Sequence, residues 1–246
     1  IMYHKIFSIT LLLCASSFTA VSAQEEKIFT NDPIVITASR YETSVSKEGK
    51  DISIVTEDDI KRSGKKNLSD VLETVAGVTI VRSGTEGSLS KVYIRGSKSG
   101  NVMIMVDGVK VYDPTALGNV YDISGIMTSN IERIEIVKGA MSSMYGAEAS
   151  GGVINIITKK GAGKKITAAA EAGADNTFSE SVSFSDSTEK SSFFFTGSHF
   201  KTDGISNAKG SGSSENFEED GYENITASGK MSSKITDNAS VDFTMN

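Results

Sequence analysis

From Ile166 onward the chain is a succession of short segments in which apolar and polar residues alternate. A period of two is the mark of half-buried β-strands, not of helices. Ile166, Ala168, Ala170 and Ala172 fall on one face. Phe178, Val182 and Phe184 share a face opposite Ser179, Ser181, Ser183 and Ser185, with Glu180 the exception. Residues 191–200 carry Phe193, Phe194, Phe195 and Phe200. In 223–232, Ile225, Ala227 and Met231 oppose Asn224, Thr226, Ser228 and Lys230. Ala239, Val241, Phe243 and Met245 alternate with Ser240, Asp242 and Thr244. Each segment is close to the roughly 9–11 residues that a tilted membrane strand needs. The connections alternate as well: 186–190 and 233–238 are short, whereas 201–221 is long, Gly/Ser-rich and acidic. Short turns on one side and long loops on the other is the transmembrane-barrel pattern. A soluble sandwich also alternates, so both architectures stay open on pattern alone. Five strands are too few to close a barrel, which needs about eight. The sequence stops within an alternating run, so on the barrel reading 161–246 would be the start of a longer barrel.

Residues 40–160 have a different texture and read as one α/β unit. Residues 52–55 are strand-like, and Thr56 is a helix N-cap with Asp59 in an acidic first turn. Leu68, Val71, Leu72 and Val75 recur at helical spacing, and Gly77 follows as a stop. Short strands are expected at 78–81, 92–94 and 102–106, with Asp107-Gly108 a tight turn after the last. Ile131, Ile134, Ile136 and Val137 mark a further strand, and β-branched residues over 153–158 close the unit.

The start of the chain reads as a secretory leader. Lys5 precedes an apolar run over 6–15, and Val21-Ser22-Ala23 places small residues at a cleavage site. The run is short of the roughly 20 residues that span a bilayer. Residues 1–23 are therefore expected to be a signal peptide, with the mature chain beginning at Gln24. The single cysteine, Cys14, and one of the two histidines, His4, would leave with it. No thiol and one imidazole, His199, then remain. Ser/His/Asp and Cys/His arrangements are ruled out in practice, and no enzyme is expected. A net charge of −6 with scattered Lys and Arg argues against nucleic acid.

Between leader and α/β unit, 24–39 holds Asp32-Pro33-Ile34-Val35-Ile36-Thr37-Ala38. Pro33 disfavours helix and three consecutive β-branched residues favour an extended strand. Near a chain end this strand has no obvious partner. It is either a site for pairing with another chain or the first strand of the following domain. The acidic stretch with Asp203, Glu215, Glu218, Glu219 and Asp220 offers oxygen ligands for Ca²⁺, although a solvated loop is the simpler reading.

Several of these stretches together resemble the TonB-dependent receptor family. Asp32, Pro33, Ile34, Val35, Ile36, Thr37 and Ala38 look like its TonB box. Leu68-Ser69-Asp70-Val71-Leu72, Ile94-Arg95-Gly96 and Val106-Asp107-Gly108-Val109 resemble short plug signatures. The longest match runs from Ile131 to Lys159, through Ile131-Glu132-Arg133-Ile134-Glu135 and Gly151-Gly152-Val153-Ile154-Asn155-Ile156. Ala140 and Lys138 depart from the usual pattern. The resemblance implies an α+β plug domain over 40–160, followed by the first antiparallel strands of a transmembrane β-barrel of the plugged, roughly 22-stranded type. It implies an outer-membrane transporter with no cofactor, whose partners are TonB, outer-membrane lipid and a scarce ligand. The loop Ser83, Gly84, Thr85, Glu86, Gly87, Ser88 and Leu89 resembles the ligand-contacting plug loop of cobalamin receptors. Tyr112, Asp113 and Tyr121 lie where a second apical loop would be. Glu218 and Asp220 fall near loop carboxylates that hold Ca²⁺ in cobalamin receptors. Ferric-siderophore receptors share the scaffold and are the near alternative; an exported β-rich adhesion or binding protein is the alternative from another class. The extra domain of signal-transducing receptors is not expected within the short 24–31.

Overall fold

The computed structural model describes residues 34, 35, 37, 43, 44, 49–206, 219–236 and 239–245. The expected leader, Asp32, Pro33, Ile36, Ala38, Glu215 and Glu218 lie outside the described residues. Two architectures follow each other along the chain.

The first begins with β1 (Ile34–Val35) and β2 (Thr43–Ser44), which pair antiparallel. The extended pair Ile34–Val35 therefore finds a partner inside its own chain, where sequence reasoning saw none. Then come β3 (Asp51–Thr56), α1 (Glu57–Ser63), α2 (Leu68–Glu73), β4 (Val78–Arg82), β5 (Ser90–Ile94), β6 (Val102–Val106), β7 (Val109–Lys110), β8 (Ile131–Lys138), α3 (Ser142–Tyr145) and β9 (Gly152–Thr158). One sheet has the order β3-β8-β9-β6-β7, and β4 with β5 makes a separate hairpin. Only the β6–β9 pairing is parallel. A parallel pair needs a long crossover, and the β8–α3 segment supplies it.

Thr56 caps α1 as expected. The Asp59 amide donates to Thr56 Oγ1 at 3.2 Å, and the Thr56 amide donates back to Asp59 Oδ2 at 2.9 Å. Gly64 ends the helix in the left-handed region at φ 67°. Helix α2 stops at Glu73, short of Gly77. The β6–β9–β8 core is apolar on both faces, as a covered sheet must be. One face packs Ile104, Ile134, Ile136, Ile154 and Ile156 against Leu68 and Leu72. The other packs Met103, Met105, Val137 and Val153 against Met141 and Ala149.

The second architecture is a five-stranded antiparallel meander, β10 (Lys165–Ala172), β11 (Phe178–Ser187), β12 (Ser191–Thr202), β13 (Tyr222–Thr236) and β14 (Ala239–Met245). The strands extend further into the short turns than the alternation suggested. Register fixes the faces: Phe184 pairs with Phe195, and Phe195 with Gly229. The alternating apolar residues thereby point one way, except Phe194 and Phe200, which turn to the opposite face and are buried. This face is bare, with Ile166 70%, Val182 59% and Ile225 79% exposed. An apolar band of this extent is foreign to a water-facing surface and is what a lipid-facing barrel wall carries. The opposite face is hydroxyl-rich and lies against the first unit, with Thr196, Ser228 and Lys230 buried. The described strands form an open arc, not a closed barrel.

Candidate functional site

Thr37, in the segment that resembles a TonB box, is seated in the first unit. Thr37 is 1% exposed, and it is met by three elements. Its amide donates to Glu135 Oε2 at 2.9 Å, and its hydroxyl donates to the same oxygen at 2.6 Å. Asn155 Nδ2 donates to Thr37 Oγ1 at 3.0 Å, and the Tyr145 hydroxyl donates to the Thr37 carbonyl at 2.9 Å. Glu135 and Asn155 face each other across β8 and β9, on the sheet face that carries Met105 and Val137. Glu135 is fully buried in this apolar setting. A buried carboxylate is costly unless its oxygens are bonded. Arg133 donates to Oε1 at 2.9 Å, while Thr37 serves Oε2. Withdrawing Thr37 would remove two bonds from that carboxylate.

The two expected ligand loops are brought together. Residues 83–89 join β4 to β5 and are closed by the Ser83 amide on the Leu89 carbonyl at 3.0 Å. Gly87, at φ 77°, sits against the ring of Tyr222, and no β-carbon would fit there. Tyr222 begins β13 directly after the long barrel loop, so this plug loop lies at the long-loop end of the wall. Asn67, at the start of α2, turns its amide to the Glu86 carboxylate. Burial pushes Glu86 above the usual carboxylate range, and Asp70 nearby adds to it. The second loop joins the first through Asp122, whose Oδ1 accepts from the Ser90 amide at 3.0 Å. Tyr121 is half-buried, and its hydroxyl is pushed up by burial and then by Asp122 and Asp113. Tyr112 is 63% exposed. Asp113 accepts from Thr115 Oγ1 at 2.6 Å and from its amide at 2.8 Å, which hold its carboxyl below the usual range. Leu89 and Tyr112 thus present free apolar surface, whereas Glu86 and Asp113 are engaged in holding their loops.

A third feature was not foreseen as a site. Lys230 projects from the wall's inner face and is 4% exposed on its side chain, and its Nζ is 2.9 Å from Asp107 Oδ1. It also donates to Thr158 Oγ1 at 3.2 Å. Thr158 itself donates to Asp107 through its amide at 3.0 Å and its hydroxyl at 2.5 Å. The tight turn at Asp107-Gly108 is thus fastened to the wall. In sequence Lys230 is one polar residue in an alternating strand; its signal is a lone charge among Asn, Ser and Thr on an inward face. Further contacts across this boundary are Lys66 with Glu171 at 2.5 Å and Ser129 with Ser198 at 3.2 Å.

Arg95 pairs with Asp51, and Arg133 with Glu132 and Glu135. These are internal contacts of the first unit. His199 lies on the outward face between Glu180 at 3.2 Å and Glu223 at 2.8 Å. For Ca²⁺, Glu218 is outside the described residues and Asp220 is half-buried beside Gly204. Among the described residues no group of three carboxylate, imidazole or thiol side chains is gathered for a metal.

A compact α/β domain pressed against the polar face of an antiparallel wall, whose other face is bare and apolar, defines a plugged membrane-barrel protein. Residues 44–153 match the family model described as the TonB-dependent Receptor Plug Domain. A vitamin B12 transporter of Vibrio vulnificus is 33% identical over 96% of this chain and 38% of its own length. That of Vibrio cholerae serotype O1 is 41% identical over 52% of this chain and 21% of its own. Among solved structures, a mutant ferric enterobactin receptor of Pseudomonas aeruginosa, in complex with enterobactin, is 27% identical with a TM-score of 0.58, covering 80% of this chain and 33% of that one. The ferripyoverdine receptor of the outer membrane of Pseudomonas aeruginosa shares the fold, with a TM-score of 0.65 at 20% identity over 85% of this chain and 26% of that one. Residues 44–153 thus form a plug domain of the kind found in TonB-dependent receptors, a family of the bacterial outer membrane, and the chain spans 21–38% of the length of these curated relatives.

Proposed function

We propose that this chain is the plug and first wall of a receptor that binds a scarce ligand at the outer face and imports it by TonB-dependent active transport. The carrying observation is the seating of Thr37 on Glu135, Asn155 and Tyr145. It makes the segment 32–38 a handle anchored in the plug, so that work done on the handle reaches the plug's core. An outer membrane has no ATP, and tight capture outside requires work for release inside. Asp32 to Ala38 would add as a strand to TonB, giving up the short pairing of Ile34 and Val35 with Thr43 and Ser44. A leader over 1–23 would carry the protein out of the cytoplasm, and outer-membrane lipid would cover the apolar face of β10–β14. This is a transporter and not an enzyme, in keeping with what its relatives are called.

Cobalamin is the favoured cargo. Two of the relatives are vitamin B12 transporters, and Ser83 to Leu89 carries the loop resemblance. In this reading Ser83, Gly84, Thr85, Glu86, Gly87, Ser88, Leu89, Tyr112, Asp113 and Tyr121 form the plug's share of the ligand surface, and Glu218 and Asp220 supply loop oxygens for a structural Ca²⁺. A ferric siderophore is the second reading, favoured by solved relatives named as siderophore receptors. Equilibrium binding to the full-length, detergent-solubilised receptor separates them, comparing cobalamin with a panel of ferric siderophores, with and without Ca²⁺. Tight cobalamin binding strengthened by Ca²⁺ supports the first reading; siderophore binding without a cobalamin response supports the second.

A further inference from the structure

The docked handle and the fastened seam share a side chain. Asn155 donates to Thr37 Oγ1 at 3.0 Å, and its Oδ1 accepts from the Gly108 amide at 3.0 Å. Gly108 is the second residue of the turn whose first residue, Asp107, holds Lys230 at 2.9 Å. Thr37, Asn155, Thr158 and Lys230 are 1%, 2%, 3% and 4% exposed. Little of these side chains is open to solvent, so a bond that breaks here is costly to leave unreplaced. Asp107 and Gly108 both lie in the left-handed region, at φ 49° and 81°, as the two-residue turn between β6 and β7 requires. It keeps that conformation through bonds from Thr158 and Lys230, with Gly108 tied down by Asn155.

We propose that Asn155 is a positioning residue that couples release of the handle to release of the plug from the barrel wall. When Thr37 leaves, Asn155 loses the partner of its amide nitrogen and reorients. Gly108 then loses its acceptor, the turn loses its anchor on β9, and Asp107 parts from Lys230. The first step of opening is thus at β13, with the remainder of the plug still folded. Coupling runs both ways, since linkage between two equilibria is reciprocal. Loss of Lys230 should therefore loosen Thr37, although the two side chains share no contact.

This rests on the transport reading but is tested without transport. In the full-length receptor, with other cysteines removed, Ser228→Cys reports on the seam by its rate of reaction with N-ethylmaleimide, because Ser228 is 3% exposed and two residues from Lys230 on the same face. A spin label on Val35→Cys reports on handle mobility. Thr37→Val and Asn155→Leu should each accelerate labelling of Ser228→Cys, and Lys230→Met should raise the mobile fraction of the spin label. Thr37 precedes every strand of the five-stranded sheet and its replacement by the isosteric Val leaves β9 unaltered, so Thr37→Val serves even where Asn155→Leu fails to fold. Labelling of Ser228→Cys at the unaltered rate in Thr37→Val would overturn the coupling. So would an unaltered spin-label spectrum in Lys230→Met. Neither result bears on whether the receptor transports, which is judged by uptake.

Discussion

Gly87 of the plug and Tyr222 of the wall are packed so closely that a β-carbon on the glycine would overlap the tyrosine ring. The contact joins the candidate ligand loop to the first residue after the long barrel loop, and φ 77° at Gly87 adds a second demand for glycine. Gly87→Ala is expected to displace the 83–89 loop and weaken ligand binding in equilibrium titration. Tyr222→Ala in the same chain should restore part of the affinity, the remainder being the left-handed backbone cost of about 1–2 kcal/mol. Equal affinity of wild type and Gly87→Ala would remove this loop from the ligand surface.

Glu86 gives the plug a pH signature. Its folded pKa is raised, by burial first and Asp70 second. A raised carboxylate contributes stability that is present below the ordinary carboxylate value and lost as pH rises through the folded one. At neutral pH its charge is a cost. Glu86→Gln keeps an acceptor for Asn67 and should raise the plug's unfolding temperature at pH 7, the gain shrinking toward mild acid. Scanning calorimetry at the two pH values checks the sign.

Asp59 has the opposite sign. The Thr56 hydroxyl and amide, with Arg62 beyond them, hold its carboxyl below the usual range. Its contribution is present above the ordinary carboxylate value and fades as pH falls through the lowered one. Thr56→Ala should cost about 1 kcal/mol at neutral pH, and less in acid, by urea denaturation of the plug.

The docked handle depends on charge at Glu135. Glu135→Gln preserves shape but weakens the bonds to Thr37 and Arg133. The docked state should lose about 1–3 kcal/mol, and limited proteolysis should cut the segment 32–38 faster. An unchanged cleavage rate would mean that Thr37 is held by Asn155 and Tyr145 without the carboxylate.

Much of this architecture was legible because local pattern and tertiary role agree. The Thr56–Asp59 cap, the Asp107-Gly108 turn and the alternation of Phe178 to Ser185 are read directly from residue order, and β3, β6, β8 and β11 stand where the patterns put them. What could not be read depends on pairing between distant residues. The self-pairing of Ile34 and Val35 is set by a two-residue strand nine positions on. The parallel neighbours β6 and β9 are separated by 45 residues or more, with nothing local to announce them. Asn155 looked like one polar residue in a β-branched run, and Lys230 like one more polar residue of a wall. The role of Asn155 arises only when Thr37 is docked on it, and that of Lys230 only when the first unit is laid against the wall. The loop 83–89 was placed by resemblance; its contact with Tyr222 came from the fold.

The central claim is that segment 32–38 is a handle for imported work. The most direct test is uptake of radiolabelled cobalamin by cells carrying Val35→Pro in the full-length receptor, beside binding to the same cells. Proline removes a strand donor without touching the ligand loops. The account predicts binding at the wild-type level with uptake abolished. Uptake at the wild-type rate would contradict it.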